Sequence, residues 1–218
     1  RHTPPLADGL TCMDLVRMTL ERYIAGSKGY GQAGYACSPV EADLVPWLAP
    51  HDSLDSLPSL LIAACNYLDA TEDVEWAERH YDGLSAWTHA MFAKDTAGSG
   101  LLVYPSSGNL GDRPTRERRA ANWWDTINYG HEDAFSNALA YRAGTLMAAQ
   151  AEKRGRAADA RTFSERSARL RRAYAEAFYN EETGLLAGWR SADGRLHDYR
   201  FTYIQGMAVV CGLVEGAF

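Results

Sequence analysis

The sequence predicts an all-α fold built from repeated antiparallel helical hairpins, a solenoid or a closed toroid. Three observations predict it: six apolar stripes at helical spacing, short turns alternating with long connections, and an internal repeat.

Met13, Val16, Leu20, Tyr23 and Ile24 form the first stripe. Leu57, Leu60, Leu61, Ala64, Cys65 and Leu68 form the second, with Pro58 in the first turn, where its missing N–H breaks no helical bond. Ala77, Tyr81, Leu84, Thr88 and Met91 form the third. Only Thr71-Glu72-Asp73 separates the second from the third, and so short a turn forces antiparallel neighbours. Phe135, Ala138, Leu139, Leu146 and Met147 mark the fourth helix, and Phe163, Ser167, Leu170, Tyr174, Ala177 and Phe178 the fifth. Lys153-Arg154-Gly155-Arg156 joins these two into another hairpin. Ile204, Met207, Ala208 and Cys211 mark a sixth helix. No alternating run of β-branched residues is long enough to demand a large sheet. Long connections, roughly residues 27–52 and 94–129, link one hairpin region to the next, and connections of that length are usually functional.

The repeat lies at the ends of helices three and five. Phe92-Ala93-Lys94-Asp95-Thr96 leads to Gly100-Leu101-Leu102, and Phe178-Tyr179-Asn180-Glu181-Glu182-Thr183 leads to Gly184-Leu185-Leu186. Each unit is a hairpin, an aromatic residue, an acidic turn and Gly-Leu-Leu, which is how stacked helical repeats read in sequence.

With 218 residues, 46% of them hydrophobic and 23% charged, the composition is that of an ordinary globular protein. A net charge of −6 argues against a nucleic-acid partner. Arg113, Arg116, Arg118 and Arg119 form a local basic run that reads as a solvated loop. No apolar run is long enough to span a bilayer, so no membrane partner is expected. The N-terminus, Arg1-His2-Thr3-Pro4-Pro5, carries neither an initiator methionine nor a signal-peptide pattern. The chain therefore reads as processed or cut from something longer, and its compartment is not legible. Cys12, Cys37, Cys65 and Cys211 include no Cys-x-x-Cys pair, which argues against a zinc knuckle. Cys12, Cys65 and Cys211 fall in helical patterns, where a reduced buried thiol is expected.

The chemistry concentrates in Asn122-Trp123-Trp124-Asp125 and in His131-Glu132-Asp133, which opens the fourth helix. Indole faces beside a carboxylate suit a sugar: the apolar ring face stacks while the carboxyl group reaches the glycosidic oxygen. Desolvation by two indoles raises a carboxyl pKa, as a general acid near neutral pH requires. Against this stands a structural reading, a tryptophan pair in the core and a capping aspartate.

These pieces resemble the six-hairpin, (α/α)6-toroid glycoside hydrolases, which include trehalase, processing α-glucosidase I and the α-L-rhamnosidases. The resemblance runs over roughly residues 50–218. It rests on Asp52-Ser53-Leu54-Asp55-Ser56-Leu57-Pro58, on Asn122-Trp123-Trp124-Asp125, on the helix from Asp133 to Arg142, and on Phe178-Tyr179-Asn180-Glu181-Glu182-Thr183-Gly184-Leu185. It implies a single domain over residues 1–218 that forms about half of an (α/α)6 barrel. The aspartate of a Trp-Asp pair after a long loop is the general acid in trehalase- and glucosidase-like members, and the matching position is Asp125. The family's general base lies on a later hairpin and has no counterpart in this segment. The resemblance thus implies that the remainder of the same enzyme, or self-association, covers the open flank.

The substrate-contact residues expected around Asp125 are Asn122, Trp123, Trp124, His131, Glu132, Asp133, Asn137, His51, Asp52 and Asn109. Several have structural alternatives. Asp133 and Glu132 suit a helix N-terminus whatever the function, and Asp52 or Ser53 suits the cap of helix two. A metal site from His131, Glu132 and Asp133 is disfavoured because adjacent residues point apart.

The function expected is an inverting glycoside hydrolase acting on an α-linked glucoside-like or rhamnoside-like sugar without a cofactor. In such enzymes an acid and a base sit roughly 6.5–9.5 Å apart, with the attacking water between them. A sugar epimerase or a polysaccharide lyase on a similar toroid is one alternative, and it requires paired proton-transfer groups. A non-catalytic helical repeat that binds a partner on its concave face is another.

Overall fold

The structure is a computed structural model that describes residues 9–26, 36–37, 46–47, 54–104, 121–122 and 129–214. Within them lie six helices: α1 (Cys12–Gly26), α2 (Ser56–Thr71), α3 (Val74–Phe92), α4 (Ala134–Lys153), α5 (Ala157–Phe178) and α6 (Thr202–Cys211). Each coincides with one apolar stripe of the sequence. Seven two-residue strands accompany them: β1 (Ala36–Cys37), β2 (Pro46–Trp47), β3 (Glu132–Asp133), β4 (Tyr179–Asn180), β5 (Leu185–Leu186), β6 (Trp189–Arg190) and β7 (Leu196–His197). They form antiparallel pairs β1–β2 and β4–β5 and a three-stranded sheet β3-β6-β7.

Local chemistry sets the helix ends. Thr11 and Asp14 cap α1 reciprocally: the Thr11 hydroxyl donates to Asp14 at 2.7 Å and accepts from the Asp14 N–H at 3.2 Å. The turn between α2 and α3 closes because Glu72 adopts a left-handed conformation at φ 55° and returns its N–H to the Leu68 carbonyl. Asp73 then accepts the Trp76 N–H at 2.9 Å and the Tyr67 hydroxyl at 2.7 Å, which starts α3. Gly155, at φ 68°, makes the corresponding turn between α4 and α5. The cap position of α2 is Asp55, without a side-chain cap bond, rather than Asp52 or Ser53, which lie outside the described residues.

The helices form two layers. Cross-links fix α2 and α4 as parallel neighbours: Gln150 donates to Asp69 at 2.8 Å near both C-termini, and Cys65 lies 3.5 Å from the Met147 sulfur about one turn earlier in each helix. Phe135 and Tyr203 meet at the starts of α4 and α6, with ring centroids 6.0 Å apart. The layer α2–α4–α6 is therefore parallel. Helices α3 and α5 run antiparallel to it and are tied to each other by Tyr81 and Ser85, which both donate to Asp159 at 2.8 Å. Helix α4 is at the centre, packed on α2, α5 and α6. Its buried positions are mostly small: Ala134, Ala138, Ala140, Ala143, Gly144, Ala148 and Ala151. Leu61, Met91, Phe163, Leu170, Tyr174 and Phe178 fill the space around them.

Small residues on α4 allow α5 and α3 to approach closely. A methyl group at Gly144 would lie 2.4 Å from the Ser167 oxygen and 2.5 Å from the Phe92 ring. Gly144→Ala gains helix propensity, about 1 kcal/mol, but overpacking costs about 1–3 kcal/mol. Phe92 is a buried ring that cannot swing away, so a net loss of about 1 kcal/mol is expected in urea unfolding. A gain in stability would mean that the interface is looser than described.

Of the cysteines, Cys65 and Cys211 are buried free thiols, as the stripes implied, but Cys12 is exposed. It occupies the first turn of α1.

Candidate active site

Parallel packing gathers the N-termini of α2, α4 and α6 at one end, together with the C-termini of α3 and α5 and the β3-β6-β7 sheet. Backbone bonds tie this end together. Leu54 N donates to Ala121 O at 2.7 Å, Ala121 N to Tyr129 O at 2.7 Å, Ala134 N to Gly188 O at 3.0 Å, and Gly188 N to His197 O at 3.0 Å. The Ala121–Tyr129 bond brings together the two ends of the segment that carries the Trp-Trp-Asp motif. Residues 123–128 lie outside the described residues.

Asp133 organises the cluster. It is wholly buried and caps α4, accepting the Phe135 N–H at 2.9 Å, the Ser136 N–H at 3.2 Å, the Ser136 hydroxyl, and the Asn122 side-chain amide at 2.9 Å. Burial, helped by nearby Asp55, pushes its carboxyl up to about 6 against the opposing pull of the Ser136 and Asn122 bonds. Asn122 is thereby fixed as the last described residue before Trp123.

Strand alternation divides the sheet into two faces. Asp133 pairs with Trp189, and Trp189 with His197, on one face; Glu132 pairs with Arg190, and Arg190 with Leu196, on the other. On the first face, Trp189 stacks on His197 at 4.6 Å and 6° and packs against Tyr129 at 4.4 Å. Tyr129 receives the Tyr203 hydroxyl at 3.1 Å, and burial pushes the Tyr129 phenol well above its ordinary value. His197 Nε2 lies 2.9 Å from the Ser191 oxygen. On the second face, Glu132 pairs with Arg190 at 3.3 Å in a cleft of about 240 Å³ that Glu176 also lines.

The expected site residues fall into three groups. Asp125, Trp123, Trp124, His51, Asp52 and Asn109 lie outside the described residues. Asn122, Asp133 and Asn137 come together, but as buried frame: their polar atoms bond to one another and to backbone. His131 and Glu132 do not start a helix; His131 lies in a bend and Glu132 in β3, so Glu132 turns to the face opposite Asp133. His131 is half-buried and receives the Tyr104 N–H on its carbonyl at 2.8 Å; its Nδ1 has no partner among the described residues. Among the described residues no group of three His, Cys, Asp or Glu side chains is arranged to hold a metal ion.

Tyr129, Trp189, His197 and Tyr203 were not anticipated. Two signals point to them. One is the period-two aromatic run His197, Tyr199, Phe201, Tyr203. The other is Gly188, where a side chain would meet the Tyr129 hydroxyl at 2.6 Å and the Phe201 ring at 3.0 Å.

The sequence repeat acquires a physical basis here. Asn137, fourth residue of α4, accepts the Leu102 N–H at 2.8 Å and donates to the Leu102 carbonyl at 3.1 Å. Gln205, fourth residue of α6, does the same to Leu186, at 3.0 Å and 2.8 Å. In each unit the second leucine of Gly-Leu-Leu is clasped through its peptide groups by the next helix of the parallel layer. Asn137→Ala would leave both Leu102 groups unpaired in a buried site, at about 1–3 kcal/mol each. A loss near 2–3 kcal/mol is expected in denaturant unfolding, and less for the half-buried Gln205→Ala. Equal losses at both positions would contradict the burial argument.

Antiparallel hairpins in two layers, with a carboxylate- and aromatic-rich cluster where the N-termini of the parallel layer converge, are the architecture of part of an α/α toroid. The chain belongs to the bacterial alpha-L-rhamnosidase six-hairpin glycosidase domain family, whose model matches residues 38–208. Among solved structures, a GH78 family rhamnosidase of Bacillus sp. GL1 superimposes with a TM-score of 0.68 at 20% identity, over 94% of this chain and 19% of that one. A rhamnosidase from Klebsiella oxytoca with rhamnose bound does so with a TM-score of 0.62 at 15% identity, over 94% of this chain and 35% of that one. The chain thus spans about a fifth and a third of these two relatives. No curated protein matches it.

Proposed function

We propose that residues 1–218 are part of the catalytic domain of an inverting glycoside hydrolase that cleaves an α-linked rhamnoside-like or glucoside-like sugar. Asp125 is the general acid, and the general base lies outside this segment. Trp123 and Trp124 immediately precede the acid in sequence; one stacks on the sugar and the other packs between hairpins. His131 and the rim residues His51, Asp52 and Asn109 contact the substrate. Asn122, Asp133 and Asn137 serve the same site by holding the frame from which residues 123–128 emerge. No cofactor enters the reaction. Family membership favours an α-L-rhamnoside over an α-glucoside.

The observation that carries this reading is the Ala121–Tyr129 bond, 2.7 Å long, at the convergence of the helix N-termini. It anchors both ends of the Trp-Trp-Asp segment in a rigid setting, and anchoring of that kind is what positioning an acid against a glycosidic oxygen requires. The test is hydrolysis of aryl α-L-rhamnosides and α-D-glucosides by the full-length protein that carries this chain, with the anomer of the first product followed by NMR. Turnover of an α-L-rhamnoside with release of the β-anomer is expected. Release of the α-anomer would replace the inverting mechanism with a retaining one, and failure to cleave any α-linked glycoside would overturn the assignment.

A further inference from the structure

Asp133 has to hold Asn122 in two protonation states. Its carboxyl is pushed up to about 6, so it is mostly charged at neutral pH and mostly protonated in mild acid. The titratable groups that face it come from four places: Asp55 at the start of α2, Tyr129 ahead of β3, Tyr174 on α5 and Tyr203 on α6. None of these is a cation, and the Asp55 charge adds to the tendency of Asp133 to take up a proton. Burial keeps the phenols protonated: Tyr129 and Tyr174 lie well above their ordinary value, and Tyr203 is pushed up to about 12.

The partners of the carboxyl decide where its proton can go. When charged, it accepts the Phe135 N–H on Oδ1, and the Ser136 N–H, the Ser136 hydroxyl and the Asn122 amide on Oδ2. When neutral, it carries a hydrogen of its own, and a buried O–H needs an acceptor. The Phe135 and Ser136 N–H groups only donate. The Asn122 amide accepts only if it turns its oxygen inward, and that releases its N–H bond. The Ser136 hydroxyl differs from both. It donates or accepts by rotation about one bond, and Ser136 is as fully buried as Asp133. Once it accepts, its own hydrogen turns to a carbonyl of the preceding turn, the usual resort of a serine within a helix.

We propose that Ser136 is a reversible partner for Asp133: it donates to the charged carboxylate and accepts from the neutral acid, so that Asn122 stays gripped in both states. The exchange needs no movement of the backbone. The residue that precedes Trp123 keeps its bond while the charge that holds it comes and goes. The anchorage at Ala121 and Asn122 is thereby insulated from acid, whatever chemistry residues 123–128 perform.

The test is hydrogen exchange, read by mass spectrometry on the full-length protein carrying this chain, at pH 5 and pH 7.5 with intrinsic rates corrected. The reporter is the Ala121 N–H, which bonds to the Tyr129 carbonyl beside Asn122. In the parent, its protection is expected to be equal at the two pH values. In Ser136→Ala the neutral acid is left with Asn122 as its acceptor, the amide turns, and protection at pH 5 falls about fivefold, the equivalent of one hydrogen bond. Protection at pH 7.5 stays near that of the parent, which also shows that the variant is folded. Ser136→Thr keeps the hydroxyl and restores protection at pH 5. The proposal is overturned if Ser136→Ala keeps full protection at pH 5, or if the parent itself loses it there. The parent comparison needs no variant and remains decisive should Ser136→Ala fail to fold.

Discussion

Replacing Asp125 with Asn is expected to lower turnover of an unactivated α-linked disaccharide about 10²–10⁴-fold, the usual contribution of a general acid. Asn has nearly the same size and keeps most hydrogen bonds, but it has no proton to give. The loss falls on the bond-breaking step. It should be largest for an alkyl or sugar leaving group and small for an activated aryl group, whose departing oxygen needs little protonation. Substrate affinity should persist, because the tryptophans supply the stacking. The measurement is kcat and KM for both substrate types in parent and variant. Near-normal turnover of the disaccharide by the Asn variant would remove Asp125 from the role. Asp133 is not the replacement, since its carboxyl is enclosed and fully bonded. His131, half-buried beside the anchored segment, would be next to examine.

Asp133→Ala is expected to cost about 3 kcal/mol or more of folding stability at neutral pH, read from denaturant unfolding. Two terms compete. Removing the carboxylate leaves the Phe135 and Ser136 N–H groups, the Ser136 hydroxyl and the Asn122 amide without their acceptor, at about 1–3 kcal/mol each. It also relieves the burden of an ionised group in the core, about 3 kcal/mol for a carboxyl raised to about 6 from 3.8. The first term is larger. The same shift fixes a pH signature. A carboxyl whose folded pKa lies above its unfolded value binds its proton more tightly in the native state. Its contribution is full below about pH 4 and is lost as pH rises through about 6. Asp133→Asn, neutral at every pH, should flatten that slope. A slope unchanged in the Asn variant would show that another group produces it.

Helix placement was legible because each helix has a side facing solvent, and amphipathic spacing records that. Even α4 kept the signal through Phe135 and Leu146, which pack against the core at its partly buried edges. The short turns were legible through Gly155 and through the Thr71-Glu72-Asp73 triplet. Two-residue strands leave no such record: they are too short to alternate visibly, and their residues are chosen by what they cap or stack upon. Glu132 and Asp133 therefore looked like the acidic first turn of a helix, when they form a strand that splits them between two faces. The frame of the candidate site was half legible. Asp133 and Asn137 were legible as polar residues at the start of the fourth helix, but whether such groups face a ligand or the backbone depends on what folds over them. Trp189 and His197 come from a hairpin distant in sequence, and no local pattern announces that they will meet Tyr129.

The clasps made by Asn137 and Gln205 have a consequence for how this architecture tolerates change over evolutionary time. Each grips N–H and C=O, which every residue but proline offers, so the lock is blind to the side chains of Leu102 and Leu186. One amide per unit keeps adjacent units in register, and the remaining positions can drift under packing constraints alone. Likeness of shape can then outlast likeness of sequence, as it has between this chain and rhamnosidases only 20% and 15% identical to it.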